Sequence, residues 1–168
     1  EHDSPWRPGI SGEHEMGIDA MTFRSVGGKT FTANAKDANI LRRHRWTITR
    51  DGYVITCIKG KVVSLGRLLL GARKGQIVDH IDGNPLNNTR RNLRVCNRNQ
   101  SAQNRGPLGN MHGFKGVHFD KKRKKYRASL LAYGKIKQTP RFNTAKEAAL
   151  AYDALALKFH GDFARTNF

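Results

Sequence analysis

Residues 76–104 read QIVDHIDGNPLNNTRRNLRVCNRNQSAQN, and this stretch decides the fold of the first half of the chain. Its apolar residues predict a short strand over 77–81 and a second strand over 93–96, separated by a polar loop that contains Gly83 and Pro85. The polar residues that follow the second strand predict a helix. We therefore expect a β-β-α unit here.

Asp79 and His80 are adjacent on the first predicted strand, so a regular strand directs their side chains to opposite faces. A neutral imidazole is a competent base at physiological pH, and a carboxylate is a hard oxygen ligand for a divalent cation. One of the two residues could therefore hold a metal ion while the other faces a substrate.

The segment resembles the HNH endonucleases, in particular the small phage-type enzymes, over roughly residues 22–104. The residues that carry the resemblance are Asp79-His80-Ile81-Asp82-Gly83, Asn87-Asn88 and Asn92-Leu93-Arg94. The resemblance implies a ββα-metal nuclease domain that uses one divalent metal, Mg²⁺ or Mn²⁺. It implies that His80 is the general base, that Asn92 fixes the loop and orients His80, and that Asp79 is a metal ligand.

Two positions depart from the family pattern. Nine residues beyond Asn92, where the family usually has a His or Asn as second metal ligand, this chain has Ser101. We assign the second ligand to Ser101 or Asn104, with other asparagines of the predicted helix as alternatives, namely Asn97 and Asn99. Gly66 stands where family members often have a His before the Arg of the preceding strand. The predicted phosphate-binding residues are Arg67, Arg90, Arg91, Arg94 and Arg98.

Upstream of this segment, the patterns predict further strands and one short helix. Residues 29–33 alternate like a strand, and residues 35–45 have near-helical spacing. Asp51-Gly52 predicts a hairpin between strands over 46–49 and 53–58, because glycine accepts a positive φ. Residues 1–21 form a predicted tail, disordered or derived from a tag. The nuclease domain is predicted over 22–106, and residues 105–110 (RGPLGN) have the composition of a linker.

Residues 107–168 predict a three-stranded antiparallel sheet packed on one helix. Thr144 and Glu147 predict a capping box at the start of that helix, and Gly161 lies where a C-terminal cap belongs. An apolar face predicts that the helix packs on the sheet; its residues are Ala148, Ala149, Tyr152, Leu155, Ala156 and Phe159.

This second pattern resembles the Apetala2-type DNA-binding domain of plant ethylene-response factors, which is also appended to many phage HNH nucleases. The residues that carry it are Lys115-Gly116-Val117, Tyr126-Arg127-Ala128, Arg141-Phe142, Thr144-Ala145 and His160-Gly161. The resemblance implies that the open face of the sheet reads bases in the major groove. Its implied DNA-binding residues are Lys115, His118, Lys122, Tyr126, Arg127 and Arg141. Pro140 lacks an N–H donor and is expected to shorten the third strand.

The charge agrees with a nucleic-acid partner. The 168 residues contain 31 Lys and Arg against 13 Asp and Glu, a formal net charge of +18, and the excess begins after residue 40. No apolar run approaches the ~20 residues that span a bilayer, and two cysteines do not make a disulfide framework. Together with the resemblance to phage-type enzymes, this favours a cytoplasmic, phage-encoded protein that binds double-stranded DNA and inserts into no membrane. The sequence does not determine the oligomeric state, and a monomer is favoured.

The sequence thus predicts an α+β protein that acts as a sequence-directed DNA endonuclease of the homing type, nicking or cutting both strands. The alternative is a DNA-binding or regulatory protein whose HNH fold is catalytically impaired by Ser101 and Gly66. An RNA-binding function has less support, because no RNP-like aromatic pair or KH-type loop is present.

Overall fold

The computed structural model describes residues 19–107 and 112–168. The predicted tail lies outside the described residues up to residue 18. The chain divides into two compact units, residues 1–97 and residues 98–168. Within the described residues, no helix combines the length and the apolar character that a membrane crossing requires.

The first unit, described from residue 19, contains short strands and two short helices. The strands are β1 (Ala20–Arg24), β2 (Thr30–Asn34), β3 (Thr47–Ile48), β4 (Val54–Ile58), β5 (Lys61–Ser64), β6 (Ile77–His80), β7 (Asn87–Asn88) and β8 (Leu93–Cys96). The helices are α1 (Ala38–Arg42) and α2 (Leu65–Leu70). Strand β1 begins within the predicted tail, because Ala20 and Met21 already pair with β2.

Three small sheets build this unit. Strand β2 pairs antiparallel with β1 and parallel with β7, while β3, β4 and β5 form an antiparallel meander. The predicted hairpin between β3 and β4 is confirmed, and Gly52 in its turn has a φ of +86°. Strands β6 and β8 pair antiparallel, as the β-β-α prediction required. The shared core consists of Phe23, Phe31, Ala33, Leu41, Trp46, Val54, Leu65, Leu69 and Leu93.

Gly66 and Arg67 lie in helix α2, so the prediction that they belong to a strand is wrong. A Cβ on Gly66 would be 3.0 Å from Cγ1 of Val78 on β6. The missing side chain therefore lets α2 pack closely against the strand that carries Asp79 and His80. Leu65 and Leu69 of the same helix are buried in the core. This tertiary packing favours the helical conformation of the segment.

The second unit contains α3 (Arg98–Gln103), β9 (Val117–Asp120), β10 (Lys125–Ala132), β11 (Lys135–Gln138) and α4 (Ala145–His160). Strand β10 is central and pairs antiparallel with β9 and β11. Helix α4 packs on this sheet through the predicted apolar face. The capping box of Thr144 and Glu147 is confirmed, and β11 ends at Gln138, two residues before Pro140.

Helix α3 belongs to the second unit, whereas the predicted nuclease domain extends to residue 106. The ammonium group of Lys115, which precedes β9, donates a hydrogen bond to the backbone carbonyl of Gln103 at the end of α3. Long-range contacts of this kind leave no signal in the local sequence. The linker-like composition of residues 105–110 therefore does not coincide with the division between the compact units.

Candidate active site and candidate DNA-binding surface

Strands β6 and β8 position the predicted catalytic pair. Their register places Asp79 opposite Arg94 and His80 opposite Leu93. Leu93 is a core residue, and His80 lies on the same side of the ribbon as Leu93. Only 8% of the surface of His80 is exposed. Asp79 therefore lies on the other face, as the alternation of a regular strand predicts.

Asp79 forms an ion pair with Arg94. The Nε and Nη2 atoms of Arg94 both donate to Oδ2 of Asp79, at 3.0 and 2.9 Å. The two side chains are largely buried, with 15% of Arg94 and 12% of Asp79 exposed. The carboxylate that was predicted to bind a metal thus carries a guanidinium cation in this structure.

His80 is held by the amide of Asn88. The Nε2 atom of His80 lies 3.3 Å from Oδ1 of Asn88, while Nδ2 of Asn88 donates to the carbonyl of Pro85. That second bond fixes which end of the amide faces the imidazole. Because an amide oxygen only accepts, the neutral ring carries its proton on Nε2 and its lone pair on Nδ1.

The environment keeps His80 neutral. Burial lowers the pKa of His80 below its ordinary value of 6.5, against smaller raising effects from the bond to Asn88 and from the charges of Asp82 and Asp79. A ring with a lowered pKa is unprotonated at physiological pH. Its Nδ1 can then accept a proton from water.

Asn92 pins the loop between β6 and β8. Its Oδ1 accepts from the backbone N–H of Asp82 at 3.0 Å, and its Nδ2 donates to Oδ1 of Asp82 and to the carbonyl of Asn87. The backbone N–H of Ile81 donates to the carbonyl of Asn92 as well. These bonds fix the chain that directly follows His80.

Asp82 holds the same loop as an ionised carboxylate. Desolvation opposes ionisation, but hydrogen bonds from the backbone of Asn84 and from the side chains of Asn87 and Asn92 outweigh it and lower the pKa of Asp82. The hydrogen bond from the backbone N–H of Asn84 to Asp82 closes a turn over 82–84. The carboxylate of Asp82 therefore accepts its hydrogen bonds from amide groups of the loop.

Three of the predicted phosphate-binding arginines have partners inside the first unit. Arg67 donates to the carbonyls of Ala72, Arg73 and Gln76, and Arg94 bonds Asp79. Arg90 binds both oxygens of Asp37, a side chain that is 4% exposed. Arg91 and Arg98 are exposed. A contact of any of these residues with DNA stays a prediction.

The predicted metal ligands fall in different units. Asp79 belongs to the first unit, while Ser101, half-buried on α3, and Asn104, buried just after it, belong to the second. Across the described ranges, no group of three or more His, Cys, Asp or Glu side chains is arranged to hold a metal ion. Asp79 still fits a divalent cation, because Mg²⁺ often uses one or two protein carboxylates together with substrate phosphates. The guanidinium seated on Asp79 shows that this carboxylate accommodates a positive charge.

The sheet of the second unit has two distinct faces. Val117, Ala128, Leu130 and Ala132 are buried against α4. The residues that alternate with them form the open face: His118, Asp120, Lys125, Arg127, Ser129, Leu131, Ile136 and Gln138. On this face His118 bonds Ser129 at 2.8 Å, and Arg127 bonds Gln138 at 3.0 Å.

The predicted DNA-binding residues do not all lie on the open face. His118 and Arg127 lie on the open face, Lys122 is exposed in the turn after β9, and Arg141 bonds Asp120 at 3.0 Å. Tyr126 lies on the helix side, where its ring contacts Phe119, so the expectation that it faces DNA from the open side is wrong.

Lys115 is held within its own unit rather than displayed on the sheet. Burial, with a smaller effect of Arg165, lowers the pKa of Lys115 to about 8. Its hydrogen bond to the end of α3 agrees with this half-buried position.

Sequence reasoning missed two functional neighbours. Asn88 was noted as part of the motif but not as the partner of His80, and Asp37 was not noted as the partner of Arg90. An Asn in a polar loop ordinarily indicates only a turn. The pairing of Asp37 with Arg90 spans 53 residues, so no local pattern announces it.

The segment that contains this ribbon is similar to a known protein family. Residues 72–103 match the family described as HNH endonuclease. The chain is 36% identical over 93 residues to Protein 3.8 of Escherichia phage T7, covering 55% of this chain and 76% of that protein. It is 29% identical over 159 residues to the Uncharacterized HNH endonuclease L560 of Acanthamoeba polyphaga mimivirus, covering 89% and 83% of the two chains.

No solved structure gives a significant match. The matched segment contains both strands of the β6–β8 ribbon and the loop that Asn92 pins. Over this segment the chain is therefore similar to the HNH endonucleases.

Proposed function

We propose that this protein is a sequence-directed DNA endonuclease of the homing type. The observation that carries the proposal is the buried imidazole of His80, neutral and aligned by Asn88, adjacent to Asp79 within the segment that matches the HNH family. A neutral base next to a carboxylate on one rigid strand supplies the two groups that phosphodiester hydrolysis requires.

His80 acts as the general base. Its Nδ1 accepts a proton from a water molecule as the water oxygen forms a bond to phosphorus. The bond between phosphorus and the 3′ oxygen breaks, and the leaving oxygen takes a proton from solvent. Asn88 keeps the lone pair on Nδ1 and holds the ring, while Asn92 holds the backbone that follows it.

Asp79 is the residue that would hold a divalent cation, Mg²⁺ or Mn²⁺. When bound, the cation supplies charge neutralisation at the scissile phosphate and the leaving oxygen. Arg94, which pairs with Asp79 in the structure, is then available to a phosphate, since a guanidinium binds either kind of oxyanion in a similar geometry.

The second unit supplies DNA binding. Residues 98–168 contain 15 Lys and Arg against 4 Asp and Glu. The open face carries Arg127 and His118, and the exposed turn after β9 carries Lys122. A three-stranded sheet with a basic open face suits the major groove of duplex DNA, which admits β-strands as well as helices.

Incubation with supercoiled plasmid tests this function. With Mg²⁺ or Mn²⁺ the full chain is expected to convert supercoiled DNA to open circles or linear molecules, and chelation by EDTA is expected to stop the reaction. Open circles alone would assign nicking, and linear product would assign cleavage of both strands. Plasmid that stays supercoiled at every metal concentration, in reactions where the protein binds it, would contradict the proposal.

A DNA-binding protein without cleavage is the second candidate. The ion pair between Asp79 and Arg94 favours it, because the carboxylate expected to bind metal is already neutralised. Ser101, a shorter ligand than the usual His or Asn, favours it as well. The plasmid experiment separates the two candidates. A protein that binds DNA without cleaving it would slow the migration of the supercoiled plasmid on a gel and leave the plasmid uncut.

A further inference from the structure

Two apolar side chains face solvent next to each other on the open face of the second sheet. Leu131 on β10 and Ile136 on β11 are directly opposite each other in the register. They are 63% and 68% exposed, whereas the flanking Leu130 and Ala132 are buried against α4. The pair is therefore outside the core that the sheet forms with its helix.

The rest of the open face is polar. Ser129 and Gln138 form the next cross-strand pair, and Gln138 accepts a hydrogen bond from Arg127. The polar pair therefore lies directly beside the apolar pair on the open face. A binding partner whose surface also places polar and apolar groups side by side would complement this arrangement.

The charge of the unit selects duplex DNA over an apolar protein surface as the partner. Residues 98–168 have an excess of 11 positive charges. On the open face of the three strands the one carboxylate, Asp120, is bound by Arg123 and Arg141. This face therefore offers a phosphate backbone no uncompensated negative charge.

In the major groove, the apolar group that a base pair displays is the C5-methyl of thymine. We propose that Leu131 and Ile136 contact thymine methyl groups, next to a base pair that Arg127 and Gln138 contact by hydrogen bonds. This inference rests on the proposed binding of DNA by the open face. It adds a sequence preference to that binding: the preferred DNA site contains one thymine or two neighbouring thymines.

The dimensions agree with this assignment. Directly opposite side chains on paired strands have Cβ atoms about 4.5–5.5 Å apart. Successive bases on one strand are about 3.4 Å apart along the helix axis, so two branched side chains at this spacing reach neighbouring base pairs. Each methyl group that is removed from such a contact should weaken binding about fourfold, which corresponds to ~0.8 kcal/mol.

Deoxyuridine tests the inference, because it pairs like thymidine and lacks only the C5-methyl. Binding sites are first selected from random duplexes with the full chain, and each thymine of the preferred site is then replaced by deoxyuridine. We expect one or two replacements to weaken binding about fourfold each. Each of the variants Leu131→Ser and Ile136→Ser should lose the response to one replacement. Its affinity for the duplex should not change when deoxyuridine replaces the thymine that the substituted side chain contacts in the unmodified chain.

Leu157→Ser is the matched control, since Leu157 is 59% exposed on α4 and lies outside the sheet. This variant should show the same sensitivity to deoxyuridine as the unmodified chain, and thermal unfolding checks that all variants fold. Wild-type binding that is unchanged by every deoxyuridine replacement would overturn the inference but leave the binding of DNA intact. Loss of self-association in Leu131→Ser, seen by sedimentation, would also overturn it by assigning the pair to a protein interface. Absence of any duplex binding would instead contradict the proposed function itself.

Discussion

Arg94 lies directly across the β6–β8 ribbon from Asp79 and donates two hydrogen bonds to a single carboxylate oxygen, Oδ2. Both side chains are more than four-fifths buried. Because a divalent cation and a guanidinium favour the same carboxylate, a metal that bound Asp79 as proposed would compete with Arg94. The affinity for the metal would then depend on this ion pair.

Replacing Arg94 should strengthen metal binding. We expect Arg94→Gln to bind Mn²⁺ about fivefold more tightly in the absence of DNA, the equivalent of losing a competing ion pair of ~1 kcal/mol. Isothermal titration measures this without any need for cleavage. Arg91→Gln is the control with the same change in net charge at an exposed neighbour. Equal affinities in Arg94→Gln and the unmodified chain would show that Asp79 is not the metal ligand.

The ion pair of Asp37 and Arg90 should stabilise the first unit. Asp37 is almost fully buried, while 36% of the Arg90 side chain is exposed. Arg90→Gln leaves a buried carboxylate without its main partner, which should lower the free energy of unfolding by about 2–3 kcal/mol, less than for a fully buried pair. The double variant Asp37→Asn with Arg90→Gln should lose less. Denaturant titration decides this, and a double variant less stable than Arg90→Gln would contradict the account.

Gly116 should be irreplaceable in the second unit. A Cβ at this position would lie 2.2 Å from the ring of Tyr152 and 2.8 Å from the carbonyl oxygen of Ser129, at a φ of +74°. Gly116→Ala should therefore cost about 3 kcal/mol or more through overpacking and backbone strain. Gly134→Ala, with a φ of +71° and open space around it, isolates the strain and should cost about 1 kcal/mol. Similar melting temperatures for the two variants would disprove the close packing.

Lys115 should make stability depend on pH. Burial lowers its pKa from 10.5 to about 8, so between these values the unfolded chain binds more protons than the folded chain. Stability should therefore rise as the pH increases from 8 towards 10, by about 1–2 kcal/mol after allowance for partial exposure. Lys115→Met should remove this rise. Parallel denaturant titrations at pH 8 and 10 compare the two proteins, and identical pH dependence in both would contradict the buried ammonium.

The sequence predicted the elements that local chemistry determines. The hairpin at Gly52, the capping box at Thr144 and the apolar face of α4 all follow from short-range spacing, and the structure confirms each of them. The β6–β8 ribbon was predictable for the same reason, since two apolar runs flank a loop that is rich in Asn and contains Gly83 and Pro85.

What failed depends on tertiary contacts. The resemblance implies that Gly66 and the following Arg lie on a strand, whereas the segment is a helix that packs against Val78. The ion-pair partners of Arg94 and Arg90 were also missed, because Asp79 and Asp37 lie within reach only after the chain has folded. Tyr126 was assigned to the open face by resemblance, but in the structure it packs on the helix side of the sheet.

The most direct test of the catalytic site is a paired measurement of cleavage and binding on His80→Ala. Loss of the base should slow plasmid cleavage by about 10²–10⁴-fold, while duplex affinity stays within about twofold, because binding rests on Lys and Arg. Asn39→Ala, an exposed change of similar size on α1, should cleave like the unmodified chain. Cleavage by His80→Ala at the unmodified rate would contradict the assignment of His80 as the base, and with it the account of how this ribbon cuts DNA.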